Sequence, residues 1–190
     1  IKQLLPKNKK FILKYFNCNN KKHIKKLEKY LKKNISENNI LLSFSNSYIF
    51  KKKQLVHFRD NHRVNFHPGP PKYPGPGGIN FSLYNDDKFF GVTAHLMEEK
   101  VDSGKILVAK HFPIFENDNL QTLLNRTHEE LFNIFKEFTT NLKKFGSDLY
   151  IRKLKSKEKW GATTKSIKDI NKFQIIDKDI DEKELARRIR

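Results

Sequence analysis

At 190 residues the chain has the length of one ordinary domain, long enough to bury a core, and its 37% hydrophobic and 12% aromatic content excludes a disordered composition. No apolar run approaches the roughly 20 residues that span a bilayer, and Ile1–Lys10 lacks the long apolar stretch of a signal peptide. The net charge of +18 admits a phosphate-bearing partner, but the lysines are spread along the whole chain, as a compositional bias over solvated faces leaves them.

In chain order, Lys10–Phe16 (KFILKYF) reads as a strand. Lys21–Lys33 follows as an amphipathic helix, with Ile24, Leu27 and Leu31 at helical spacing among lysines. The continuous apolar run Ile40–Phe44 suits a buried parallel strand, Phe50–Phe58 is weakly helical, and Arg63–Phe66 is a short strand. From Pro68 to Gly78 (PGPPKYPGPGG) nine of eleven residues are Pro or Gly, five of them among the chain's seven prolines. Fixed φ at proline and permitted positive φ at glycine make this a stiff loop with a defined path, leading into a helix near Gly77–Tyr84. Gly91–Met97 and Lys105–Phe112 read as strands. Asn117 or Asp118 is expected to cap a long helix whose apolar positions run from Leu120 to Leu142. Beyond Gly146 the tail is charged and less regular, with Trp160 as its main hydrophobic anchor. Strands alternating with helices argue for an α/β domain with a largely parallel sheet.

Chemistry concentrates in three places. In Asn65-Phe66-His67, the extended backbone puts the amide and the imidazole on one side. The Pro/Gly loop begins at the next residue. Asp102 sits in Val101-Asp102-Ser103-Gly104, a tight turn between two strands. An amide that donates to an oxyanion, an imidazole that titrates near neutrality and a carboxylate that fixes its charge suit acyl transfer to a nitrogen nucleophile. His95 alternates with Thr93 and Met97 and faces either the pocket or a core hydrogen bond, the latter favoured. His57, His62, His111 and His128 lack metal-ligand spacing, so no metal is expected. Cys18 is the only cysteine, which fits a reducing cytoplasm.

The succession NFHPGPPKYPG, GVTAHLM and VDSGKI resembles the family of formyltransferases that use N10-formyltetrahydrofolate, closely from about Ile40 to Ile114 and more loosely to Gly146. The resemblance implies a Rossmann-like α/β domain, a mostly parallel central sheet flanked by helices, over residues 1–146, with its first strand-helix unit missing, and a truncated extension over 147–190. It implies Asn65, His67 and Asp102 as the catalytic set, without a covalent enzyme intermediate. Phe44, Ser45, Asn46, Tyr48, Ile49, Ser103 and Gly104 are then expected around the folate donor, with backbone groups reading the pterin ring. Gly69, Pro70, Pro71 and Tyr73 form the substrate loop; Tyr73 either stacks on a substrate ring or packs on its proline neighbours. The implied acceptor is a small-molecule amine. Pro-Gly-Pro-Pro after His67, where the methionyl-tRNA and glycinamide ribonucleotide enzymes carry Ser-Leu-Leu-Pro, leans towards a nucleotide-linked amino sugar. Methionyl-tRNA is the alternative acceptor, a homodimer is compatible with the family, and no membrane partner is implied. A reading from another class is a basic nucleic-acid-binding module without chemistry.

Overall fold

Four residues on one strand organise the molecule: Val64 and Phe66 are fully buried, and Asn65 and His67 alternate with them on the opposite side. That strand is β2 (Arg63–His67) in a computed structural model that describes residues 14–33, 36 and 38–190. It lies between β1 (Leu41–Phe44) and β3 (Phe89–Leu96), and β4 (Ile106–Pro113) completes the order β1-β2-β3-β4. Of the strand expected over Lys10–Phe16, residues 10–13 lie outside the described residues, and Lys14–Phe16 form no strand.

The fold is α/β, with helices flanking the sheet, but its described part is mixed rather than mostly parallel. β1 and β2 run parallel, whereas β2–β3 and β3–β4 are antiparallel. For β3 and β4 the reason lies in the connection. Residues 97–105 between β3 and β4 are fewer than the dozen or so that a parallel crossover requires.

The core forms between the sheet and one long helix. The helices are α1 (Lys21–Lys33), α2 (Lys52–Leu55), α3 (Gly78–Tyr84), α4 (Leu120–Phe145), α5 (Ser147–Lys153), α6 (Ile167–Asn171) and α7 (Glu182–Ile189). The apolar stripe of α4 places Leu123, Leu131, Ile134, Phe135, Phe138 and Leu142 in the interior. Phe66 meets Phe135 and Phe138 edge-on, with centroids 4.9 and 5.3 Å away. Such pairs contribute about 1 kcal/mol each beyond the area they bury. Leu27 and Leu31 of α1 enter a second cluster with Phe50, Leu55, Phe58 and Met97. The lysines of α1 stay exposed, as the helical spacing predicts. Among the described residues no helix is long and apolar enough to cross a membrane.

The start of α4 differs from the expectation that Asn117 or Asp118 caps it. Asn119 is the cap, and its side chain accepts from the backbone N–H of Gln121 and Thr122. Asp118 is turned elsewhere, towards the Arg126 guanidinium at 2.6 and 2.8 Å and the Phe115 N–H. That guanidinium holds the buried carboxyl down to about 2. Asp118→Ala strips a half-buried arginine of its partner, and we expect a loss of roughly 2–3 kcal/mol in urea unfolding. A loss under about 0.5 kcal/mol, the scale of an exposed pair, contradicts the assignment.

Candidate active site

Backbone register assembles the site. The antiparallel β2–β3 pairing sets Asn65 opposite His95 and His67 opposite Thr93, all on the face turned away from α4. Asn65 Nδ2 lies 3.2 Å from His95 Nε2. Thr93 donates its hydroxyl to the Gly69 carbonyl at 2.8 Å, which ties the Pro/Gly loop to the same face.

Asp102 occupies the middle of this face. Its carboxylate is shared: Oδ2 lies 3.3 Å from His67 Nδ1, and Oδ1 lies 3.2 Å from His95 Nε2. The Gly75 backbone N–H donates to Oδ2 at 2.8 Å. Gly75 takes φ of +88°, a conformation that glycine adopts without strain. Asp102 itself has φ of +46°, the left-handed region that aspartate tolerates better than most residues. All three side chains are buried, with Asp102 6%, His67 7% and His95 2% exposed. Asn65 is the half-exposed member.

The hydrogen-bond partners constrain the protons. His95 Nδ1 is 2.8 Å from the Leu96 carbonyl, so that nitrogen carries the N–H. Its Nε2 has two alternatives: the neutral ring accepts from the Asn65 amide, and the protonated ring donates to Asp102. His67 is held between Asp102 and the Tyr73 carbonyl, 3.2 Å from Nε2. Burial pushes the His67 imidazolium below its ordinary range, and the Asp102 charge opposes this without prevailing. Burial raises Asp102, but the His95 bond, the His67 charge and the Gly75 N–H outweigh it and leave the carboxyl below its usual value. The result is a buried carboxylate gripping two imidazoles beside an amide donor. Such a group can move a proton and stabilise a developing oxyanion.

The other expected site residues divide. Phe44 turns into the core against Phe66 and Phe135, so only its backbone is available to a ligand. Ser45 donates its N–H to the Phe66 carbonyl, and Asn46 accepts from the Tyr48 N–H. The Tyr48 hydroxyl accepts from Gln54, and Ile49 is exposed. The Ser103 hydroxyl donates to the Lys100 carbonyl. In the loop, Gly69 backs onto the imidazole: a Cβ there lies 2.6 Å from His67 Nε2. Pro70 and Pro71 are buried. The Tyr73 ring stacks on Phe81 and its hydroxyl donates to Asp87 at 2.6 Å; its carbonyl, not its ring, faces His67. Two residues enter the cluster beyond the expected trio. One is His95, whose place follows from antiparallel register. The other is Trp160, whose ring lies 4.9 Å from that of His95 and 6.0 Å from that of His67.

With this geometry in place, a family model described as formyl transferase matches residues 4–139, well over half of the chain. The chain belongs to the formyl transferase family. Among curated proteins, the trifunctional purine biosynthetic protein adenosine-3 of Chironomus tentans is 41% identical over 66 residues, which cover 34% of this chain and 5% of that protein. Methionyl-tRNA formyltransferase of Caldanaerobacter subterraneus subsp. tengcongensis is 37% identical over 67 residues, covering 35% and 20%. The matches span less than half the length of these curated relatives. A sugar N-formyltransferase from Shewanella sp FDAARGOS_354 superposes with a TM-score of 0.63 at 26% identity, over 92% of this chain and 65% of that one. The formyltransferase PseJ from Anoxybacillus kamchatkensis, solved with UDP-4,6-dideoxy-4-formamido-L-AltNAc and tetrahydrofolate, gives 0.61 at 23% identity, over 80% and 76%.

For this formyl transferase domain the buried histidine has a consequence in pH. Because folding lowers the affinity of His67 for its proton, the unfolded chain binds more protons as pH falls through the ordinary histidine value of about 6.5. Stability is therefore full above that value and declines below it. Urea midpoints taken between about pH 7.5 and about pH 5.5 are expected to fall in the wild type and to fall less in His67→Gln. Equal declines in the two proteins remove His67 as the cause.

Proposed function

We propose that the chain transfers a formyl group from N10-formyltetrahydrofolate to a primary amine, carried by a nucleotide-linked amino sugar. The observation that carries this reading is the convergence of Asp102, distant in sequence, on Asn65 and His67 at one face of the sheet. Support for the donor and the acceptor class comes from PseJ, solved with tetrahydrofolate and a UDP-linked formamido sugar, and from the sugar N-formyltransferase of Shewanella.

The acceptor nitrogen bonds to the formyl carbon, and the carbonyl electron pair moves onto oxygen. The Asn65 amide donates to that oxygen, and the His67 imidazole, oriented by Asp102, supplies the second polar contact. When the intermediate collapses, the bond from carbon to N10 breaks, and the proton lost by the amine ends on N10. Asp102 contributes a fixed negative charge against which an imidazole can hold a proton while it passes. Catalysis is assigned to residues 1–146, with 147–190 as an extension, in the cytoplasm where the single Cys18 stays reduced. Methionyl-tRNA is the second acceptor, favoured by the 37% identity to the Caldanaerobacter enzyme over 67 residues.

The test is formyl transfer from N10-formyltetrahydrofolate to amino-sugar nucleotides, followed as tetrahydrofolate release and as the mass of the formylated product. His67→Ala and Asp102→Asn are each expected to lower the rate by at least about a hundredfold, the size of a lost acid–base or oxyanion contribution. Wild-type rates in both variants would end this reading.

A further inference from the structure

The extension reaches back into the cluster. Trp160 is the only tryptophan of the chain, and its Nε1–H donates to the Gly104 carbonyl at 2.7 Å, two residues past Asp102. Its ring meets the His95 ring at 88° and the His67 ring at 67°, so one indole touches both imidazoles that share the carboxylate. The flanking backbone is fastened to the Pro/Gly loop: Gly161 N–H donates to the Pro71 carbonyl at 2.8 Å and Lys165 N–H to the Pro74 carbonyl at 3.2 Å. That loop presents Gly75 N–H to Asp102 and the Tyr73 carbonyl to His67. The strap therefore holds the loop, and the loop and the indole together enclose the carboxylate and its two imidazoles.

A tail needing only an anchor already has one in Ile151, which is 1% exposed and belongs to the main core. Trp160 is half-buried, with its ring against those of His95 and His67. Resting on the proposed function above, we infer that Trp160 is a positioning residue of the transfer reaction, locking His67 and His95 in the orientations that keep both directed at Asp102. An apolar ring against the imidazoles also excludes water from the carboxylate, which strengthens each bond the carboxylate accepts.

The 190-residue chain and its Trp160→Phe and Trp160→Leu variants separate this role from mere anchoring. Long-range ¹H–¹⁵N spectra report the protonation and hydrogen bonding of each imidazole. Both variants are expected to move the ring-nitrogen signals of His67 and His95 while those of His57 and His128 stay in place. In the transfer assay kcat is expected to fall about tenfold with KM for the formyl donor unchanged, phenylalanine retaining more activity than leucine. Unmoved ring-nitrogen signals beside a lowered Tm, or a raised KM with unchanged kcat, overturn the proposal. If the wild type transfers no formyl group, the spectra still decide the role of Trp160, and the failure belongs to the assigned reaction. Should both variants unfold, the emission of the single tryptophan in wild type, His67→Gln and His95→Gln gives the answer. A change with either substitution supports the contact, and identical emission in all three refutes it.

Discussion

A carboxylate with 6% exposure, held away from water, is the constraint on which the remainder of the site depends. An ionised group so placed costs several kcal/mol unless donors surround it. Asp102 draws its contacts from three separate parts of the chain: His67 at the end of β2, His95 within β3 and the Gly75 N–H in the Pro/Gly loop. None is a sequence neighbour, so the charge is tolerable only when the sheet register, the loop path and the β3–β4 turn are all correct together. The left-handed φ at Asp102 belongs to the same bargain, a local strain that the surrounding bonds hold in place.

Much of this was legible in the sequence, and the boundary between what was and was not has a physical cause. Local pattern carried the elements. The spacing of Leu27 and Leu31 announced α1, the apolar run ending at Leu142 announced α4, and the alternation in Asn65-Phe66-His67 put amide and imidazole on one side. Direction between strands is not a local property. The sheet was expected to be mostly parallel, and under that assumption nothing sets His95 against Asn65. The antiparallel register does so directly, and a histidine expected to face either the pocket or a core hydrogen bond, the latter favoured, lies between the amide and the acid. The β3–β4 connection, too short to cross over, signalled one antiparallel pair, but residues 68–88 between β2 and β3 are long enough for either direction, so the register that places His95 had no such signal.

Trp160 was beyond sequence reasoning for a different reason. It follows α4 and α5 in a stretch without regular periodicity, where composition gives no hint of the path the chain takes. Reading it as an apolar anchor captured its burial and missed its neighbours. The deeper anchor of the extension is Ile151, which sits in an amphipathic turn of α5 beside Asp148; that carboxylate in turn meets Asn61 at 2.7 Å and His62 at 3.2 Å. The extension is thus attached twice, once through packing and polar contacts at the start of β2 and once through backbone bonds over the loop.

The composition of the loop follows from these obligations. Within Pro68–Gly78 the backbone must accept from Thr93 at Gly69, accept from the extension at Pro71 and Pro74, turn the Tyr73 carbonyl to His67 and aim the Gly75 N–H at Asp102. Four of these five groups are carbonyls and one is an N–H. Proline keeps its carbonyl and lacks an N–H, so it serves the accepting positions and leaves no buried donor without a partner. Glycine is required where the chain presses against the imidazole at Gly69 and where φ is positive at Gly75. A flexible loop of ordinary residues would have to be ordered afresh around a buried charge, at about 1–2 kcal/mol per residue. Proline restricts the unfolded chain instead, and lowers the conformational entropy that ordering removes. The stiffness that marks this segment in the sequence is the means by which the Asp102 carboxylate is kept charged inside the protein.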